Sequence, residues 1–233
     1  MDAIRIENIN FYYNRNNPVL QDLNLQVPCG AIYGLLGRNG AGKSTIIKLL
    51  LGLIQPQTGT ILWWGEKNPD SHIMYRIGST LETPSFYPYL SVEEHLQMLN
   101  IIFCKGKERI DEMLQLTGLM DVKTQKCSII STGMKQRLFI AMALFRDPDL
   151  LILDEPTNGL DPVGVVDIRN IILRIHNSGK TIILSSHILT EMDKICTHVG
   201  IIEEGRMIYQ KPHSDVNGEK NLESLYLEAL QRK

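Results

Sequence analysis

The run Gly37-Arg38-Asn39-Gly40-Ala41-Gly42-Lys43-Ser44-Thr45 satisfies G-x-x-x-x-G-K-[ST] at every specified position. Glycine at these points leaves room for backbone N–H groups to turn inward around a chain of phosphates. A lysine placed as Lys43 is reaches the β- and γ-phosphates, and a hydroxyl placed as that of Ser44 is can ligate Mg²⁺. Much further along, Leu150-Leu151-Ile152-Leu153-Asp154-Glu155-Pro156 carries four apolar residues into two adjacent carboxylates. A phosphate cradle joined to a carboxylate pair is equipment for binding a nucleoside triphosphate with magnesium and for hydrolysing it.

Both motifs need rigid elements to hold them. The apolar stretch 31–36 reads as a buried strand feeding the loop, and 46–51 reads as the helix leaving it, so that the helix N-terminus faces the phosphates. Residues 4–13 alternate apolar and polar as an antiparallel strand does. A turn over 14–18 and a second strand over about 19–27 follow, and 60–64 reads as another strand. From about 84 to 146 the pattern is helical. Ser91-Val92-Glu93-Glu94 is a capping box opening a helix to about residue 103, and a second helix over about 107–117 stops at Gly118. Strand and helix then alternate again: a strand over 150–153, a helix from Pro162 with Asp161 as N-cap that ends before Gly179, then strands over 181–185 and 199–202. The expected fold is α/β: a P-loop NTPase core of mainly parallel sheet, an N-terminal antiparallel β layer and an inserted helical subdomain. The whole chain, 1–233, reads as one such domain, with the core over about 1–83 and 147–215, the helical subdomain over about 84–146 and a C-terminal helix over about 220–232.

Bulk properties narrow the class. A hydrophobic fraction of 43% with 21% charged residues is that of an ordinary globular protein. A net charge of −2 gives no electrostatic case for nucleic acid or for an anionic membrane surface. Cys29, Cys104, Cys127 and Cys196 stand apart with no C-x-x-C pair, which reads as reduced thiols in a cytosolic protein. Met1-Asp2-Ala3-Ile4-Arg5 lacks the pattern of a signal peptide, no lipid anchor is expected, and no apolar run approaches the ~20 residues of a membrane span.

Ser131-Thr132-Gly133-Met134-Lys135-Gln136-Arg137 lies shortly upstream of the Asp154-Glu155 strand. With these segments in this order, the chain resembles the ATP-binding subunit of an ABC transporter over almost its whole length. The family signature L-S-G-G-Q aligns with Ile130-Ser131-Thr132-Gly133-Met134, which keeps the serine and the second glycine and departs at Thr132 and Met134. The resemblance implies ATP and Mg²⁺ as cofactors and a head-to-tail dimer in which Ser131 and Gly133 cap the γ-phosphate bound by the opposite subunit. It makes Asp154 the magnesium carboxylate and Glu155 the catalytic base. His187, after Ser185-Ser186, becomes the switch histidine at the γ-phosphate and the attacking water. Asn158-Gly159-Leu160-Asp161 matches the dimer-contact loop, with Asp161 bridging. Tyr13 matches the aromatic that stacks on adenine, with Tyr12 as the alternative.

A further departure is Glu82, where the family usually has the glutamine that touches magnesium and water. Glutamate keeps an oxygen ligand and adds a negative charge. Together with Pro84-Ser85-Phe86-Tyr87-Pro88 and Gly133-Met134-Lys135-Gln136, it resembles the ATPase subunits of exporters that protect against lantibiotics and bacitracin-like peptides. An amphipathic segment over 222–230 fits that branch. The implied partners are an integral membrane permease and a second ATPase subunit, identical or similar, at the cytoplasmic face of the membrane. An importer ATPase, a soluble ABC ATPase of repair or translation, and a module that holds ATP without turning it over remain as alternatives.

Overall fold

The computed structural model describes residues 1–14, 17–67, 69–81, 86–213 and 222–231. Two long strands, β1 (Asp2–Asn14) and β2 (Asn17–Pro28), precede the central strand β3 (Ile32–Leu36) and helix α1 (Lys43–Leu50). Strands β4 (Thr58–Trp63) and β5 (Glu66–Lys67), the short helix α2 (Ser71–Tyr75) and strand β6 (Ile77–Thr80) follow. Three α-helices then intervene, α3 (Val92–Phe103), α4 (Lys107–Leu116) and α5 (Thr132–Leu144), with a single 3₁₀ turn (Met120–Val122) between the last two. The chain returns through β7 (Leu150–Leu153), α6 (Pro162–Asn177), β8 (Thr181–Ser186), α7 (Leu189–Met192), β9 (His198–Glu203), β10 (Arg206–Pro212) and α8 (Leu222–Gln231).

Two sheets result. The first is antiparallel in the order β2-β1-β4-β5; the second runs β10-β9-β3-β8-β7-β6. In the second, β6, β7, β8, β3 and β9 are parallel and only the edge strand β10 is antiparallel. The short apolar runs read as buried strands take these places because both of their faces are covered. Side-chain alternation divides the core in two. Ile32, Leu36, Leu151, Leu153, Ile182 and Leu184 face α3 to α6, in one continuous apolar cluster with Leu96, Leu138, Phe145 and Ile172. Tyr33, Leu35, Leu150, Ile152 and Ile183 face the other way, onto α1 and the antiparallel sheet. The helical insertion therefore shares its core with the sheet. At Gly78 of β6 the approach is closest: a Cβ there would stand 2.2 Å from Ala143 O, so α5 lies against β6 only because that position is glycine.

Ser91 opens α3 as its residue types dictate. Its hydroxyl accepts the Glu94 N–H at 3.2 Å, and its own N–H donates to Glu94 Oε2 at 2.6 Å. Asp161 caps α6 by accepting the Gly164 N–H at 2.7 Å, with Pro162 in the first turn. Five elements escape the sequence reading: β5, α2, β6, α7 and β10. Each is either very short or an edge strand without a clear alternation of burial.

The cap makes a prediction. Ser91→Ala should lower stability by about 1 kcal/mol, seen as a lower urea midpoint at unchanged slope. The Glu94 carboxyl is held below the usual glutamate range, first by the Ser91 N–H and then by the Ser91 hydroxyl. Its contribution is complete above the ordinary glutamate pKa and disappears as pH falls through the lowered folded-state value. Glu94→Gln should therefore flatten the acid limb of the stability profile, with variant and wild type converging at the acid end.

Candidate active site

Parallel pairing brings three chain segments to one edge of the sheet. β3 delivers the phosphate loop, β7 delivers Asp154 and Glu155, and β8 delivers His187. Gly37 must be glycine: a Cβ there would lie 2.4 Å from Ile202 O of the neighbouring β9. The loop is tied to the turn after β9 by a hydrogen bond from Gly205 N–H to Ala41 O at 3.0 Å. Gly42, with φ +113, opens α1; no side chain caps that helix and no acidic residue sits in its first turn. A helix N-terminus free of its own carboxylates favours an anion.

Lys43 is only 6% exposed, and its Nζ donates to Gly37 O at 2.8 Å and to Arg38 O at 3.3 Å. The same nitrogen lies 3.5 Å from Glu155 Oε1. The other carboxylate oxygen, Oε2, is 2.8 Å from His187 Nδ1. A proton on Nδ1 donates to Glu155 and leaves Nε2 as the nitrogen open to a ligand. Lysine, glutamate and histidine thus form one connected line over the loop. Glu155 takes a left-handed backbone, φ +47, and turns away from the path of β7. Asp154, one residue earlier, accepts from Ser185 Oγ at 2.5 Å.

A depression of about 530 Å³ holds this group: Asn39, Gly40 and Gly42 of the loop, Lys43, Ser44 and Thr45 of α1, and Glu155, Asn158 and His187 opposite them, with Val19 of β2 at one side. Backbone donors, an ammonium and an uncapped helix end suit a polyphosphate. The Ser44 hydroxyl and the carboxylate of Asp154 are hard oxygen donors of the kind Mg²⁺ takes.

The remaining expected residues lie elsewhere or outside the description. Ser131, Gly133 and Asp161 share a second depression, of about 370 Å³, that has no residue in common with the first. There the Ser131 hydroxyl accepts the Met134 N–H at 3.2 Å and caps α5. Tyr13, 58% exposed near the end of β1, stands edge-on to Phe11 at 4.9 Å and does not line the first depression. Tyr12 is half-buried, with its backbone bonded to the Gln57 side chain at both N–H and C=O. Arg38 of the loop is exposed, and Ala41 of the same loop is buried. Glu82 lies outside the described residues. Two participants have no counterpart in the sequence reading. Val19 carries no chemical signal, and Ser185 is visible in sequence only as a neighbour of His187.

Fold and site together define a nucleotide-binding cassette, with a phosphate loop and a carboxylate pair at the carboxyl edge of a parallel sheet. The family model described as ABC transporter matches residues 20–158, and a second, described as AAA domain, putative AbiEii toxin, Type IV TA system, matches residues 125–193. The chain is 48% identical over 198 residues to the bacitracin transport ATP-binding protein BcrA of Bacillus licheniformis, covering 82% of this chain and 63% of that protein. It is 38% identical over 223 residues to the lantibiotic transport ATP-binding protein SrtF of Streptococcus pyogenes, covering 96% and 95%. A solved structure of the ATP-binding subunit of an ABC transporter superposes with a TM-score of 0.85 at 28% identity, covering 98% and 99%. The chain belongs to the ABC transporter family: it is an ATP-binding cassette of that family, and an ATPase. Among the described residues, no helix is long and apolar enough to cross a membrane.

The loop geometry sets a test of the site. In Gly37→Ala the added methyl meets the β9 backbone, at a cost of about 1–3 kcal/mol. Titration with a fluorescent ATP analogue should then show binding weaker by about tenfold or more, while the thermal melt stays cooperative.

Proposed function

We propose that this chain is the ATP-hydrolysing subunit of an exporter of antimicrobial peptides, working with a separate integral membrane permease at the cytoplasmic face of the membrane. The observation that carries the hydrolase reading is the connected line Lys43–Glu155–His187 above the phosphate loop. The substrate class rests on the names of BcrA and SrtF, proteins of bacitracin and lantibiotic transport.

In this reading the amides of residues 39–45 and Lys43 hold the phosphates, and Ser44, Asp154 and Glu82 would hold Mg²⁺, which would supply charge neutralisation on the triphosphate. Glu155 takes a proton from the attacking water as its oxygen bonds to the γ-phosphorus, the bond to the β-phosphate oxygen breaks, and ADP leaves with that oxygen. His187 turns Glu155 with Nδ1 and offers Nε2 toward water and γ-phosphate. Tyr13, the more exposed of the two tyrosines, stacks on adenine. The chain acts as a dimer with a second copy, whose Ser131 and Gly133 complete each site and whose Asp161 bridges the interface. The separation of the two depressions within one chain supports that arrangement.

Coupling to the permease runs through the helical insertion, with Glu82 at its entry in the sequence. Tyr87, Tyr89, Ile101 and Ile102 there are exposed aromatic and aliphatic groups, Ile101 at 80%. They suit a partner helix better than water. The subdomain limits near 84 and 146 belong to the same reading.

Replacing Glu155 by Gln should lower ATP hydrolysis by about 10²–10⁴-fold with ATP affinity little changed. A wild type no faster than that variant would overturn the hydrolase reading. Affinity purification from detergent-solubilised membranes, followed by mass spectrometry, should yield a stoichiometric polytopic protein. Recovery of soluble or ribosomal proteins alone would overturn the transporter assignment of this copy.

A further inference from the structure

The last residues of β8 do more than lead to His187. Ser185 is fully buried, in register with Leu35 of β3, and the adjoining Leu184 is in register with Leu153 of β7. That register puts the Ser185 hydroxyl beside the point where β7 ends. The hydroxyl donates to Asp154 Oδ1 at 2.5 Å and accepts the Glu155 N–H at 2.8 Å. One oxygen atom therefore touches both members of the carboxylate pair, and it touches them differently: Asp154 through its side chain, Glu155 through its backbone.

The backbone contact has a consequence for direction. A glutamate with φ +47 sits in the left-handed region, which non-glycine residues avoid unless something holds them there. The acceptor on its amide is fixed to a fully buried strand between two others. From that backbone the carboxylate reaches His187 Nδ1 at 2.8 Å and Lys43 Nζ at 3.5 Å. For Asp154, donation to Oδ1 leaves the second oxygen as the one available to a cation. Ser186 performs a smaller service on the same strand, its hydroxyl accepting the Ile188 N–H at 3.0 Å just past His187.

We propose that Ser185 is a positioning residue for hydrolysis: a single buried hydroxyl that sets the rotation of the Asp154 carboxylate and, through the Glu155 amide, the aim of the Glu155 carboxylate. It touches neither substrate nor metal. The proposal rests on the reading of Glu155 as base.

The test compares wild type, Ser185→Ala, Ser185→Thr and Glu155→Gln as purified full chains. Steady-state kinetics with MgATP are measured alongside amide hydrogen exchange at Glu155 and thermal melts. A cavity of about 20 Å³ lined in part by Leu184, Ser185 and Ile172 offers space beside the site for the threonine methyl. Ser185→Ala should lose at least about tenfold in kcat with KM for ATP changed by less than about threefold. Its Glu155 amide should exchange faster, and Ser185→Thr should recover both properties. If the alanine variant does not fold, Ser185→Cys replaces it: the thiol fills the space but bonds weakly, so the same losses are expected. The role is overturned if Ser185→Ala keeps its kcat, if kcat falls with exchange at Glu155 unchanged, or if threonine does no better than alanine. A wild type no faster than Glu155→Gln overturns the hydrolase reading and this role with it. Failure of the role alone is told apart because there the wild type still outruns Glu155→Gln.

Discussion

The parallel pairing of β3, β8 and β7 is the constraint from which the rest follows. Parallel strands end together, so whatever follows each carboxyl end is gathered at one edge of the sheet. Leu36 pairs with Ser186, and Leu153 pairs with Leu184. The loop after Leu36, the carboxylates after Leu153 and the histidine after Ser186 are gathered by that pairing, and the contacts of Glu155 with Lys43 and His187 form on top of it. A slip of one residue in β7 would exchange its two faces. Leu151 and Leu153 would leave the helical side for the side of α1, and Leu150 and Ile152 would take their places. The two-sided apolar core that fixes the register is thus also what aims the chemistry.

That dependence explains which parts were legible in the residues. The phosphate loop is local: its glycines, lysine and hydroxyl act within nine consecutive residues, so a pattern captures it. The capping box at Ser91 and the N-cap at Asp161 are local for the same reason, and both form as their residue types dictate. Strands β3 and β7 are unbroken apolar runs because both of their faces are buried. β6 carries glycine, serine and threonine, and it is a strand because α5 and β7 enclose it. β10, on the opposite edge, has mostly half-buried residues without clear alternation, so no period announces it. The short helices α2 and α7 have too few turns to express a helical period at all.

Within the site the same division holds. Lys43, Ser44, Asp154, Glu155 and His187 carry recognisable chemistry at recognisable spacing. Ser185 does not: a serine near the end of an apolar strand has many ordinary explanations, and its meaning comes from β7 lying beside β8. Val19 lines the site only because the β1–β2 hairpin lies over the loop's side of the sheet, a placement that no local pattern encodes. The surroundings of Tyr12 and Tyr13 are tertiary as well. Gln57, forty-five residues away from Tyr12, pairs with its backbone, while the Tyr13 ring stands out to solvent.

The departures from the family signature can be weighed by the same physics. Ser131 caps α5 by accepting a backbone N–H, that of Met134, and a backbone donor is indifferent to the side chain that it carries. Methionine at 134 is therefore compatible with the capping geometry that aims the end of α5. Gly133 is different. A Cβ there would meet nothing nearer than Ser131 Oγ at 4.0 Å, and its backbone is not left-handed. Nothing within the described residues of this chain demands a glycine at that position, and glycine in the first turn of a helix carries an entropic cost. Thr132 beside it is exposed, and the depression they share with Asp161 opens outward. A helix start that is capped, with a glycine at its second position at a cost to its own stability, faces outward through that depression. In the dimer proposed above, the phosphate end of a nucleotide held by the second copy would supply both the close approach and the negative charge that such a helix start receives.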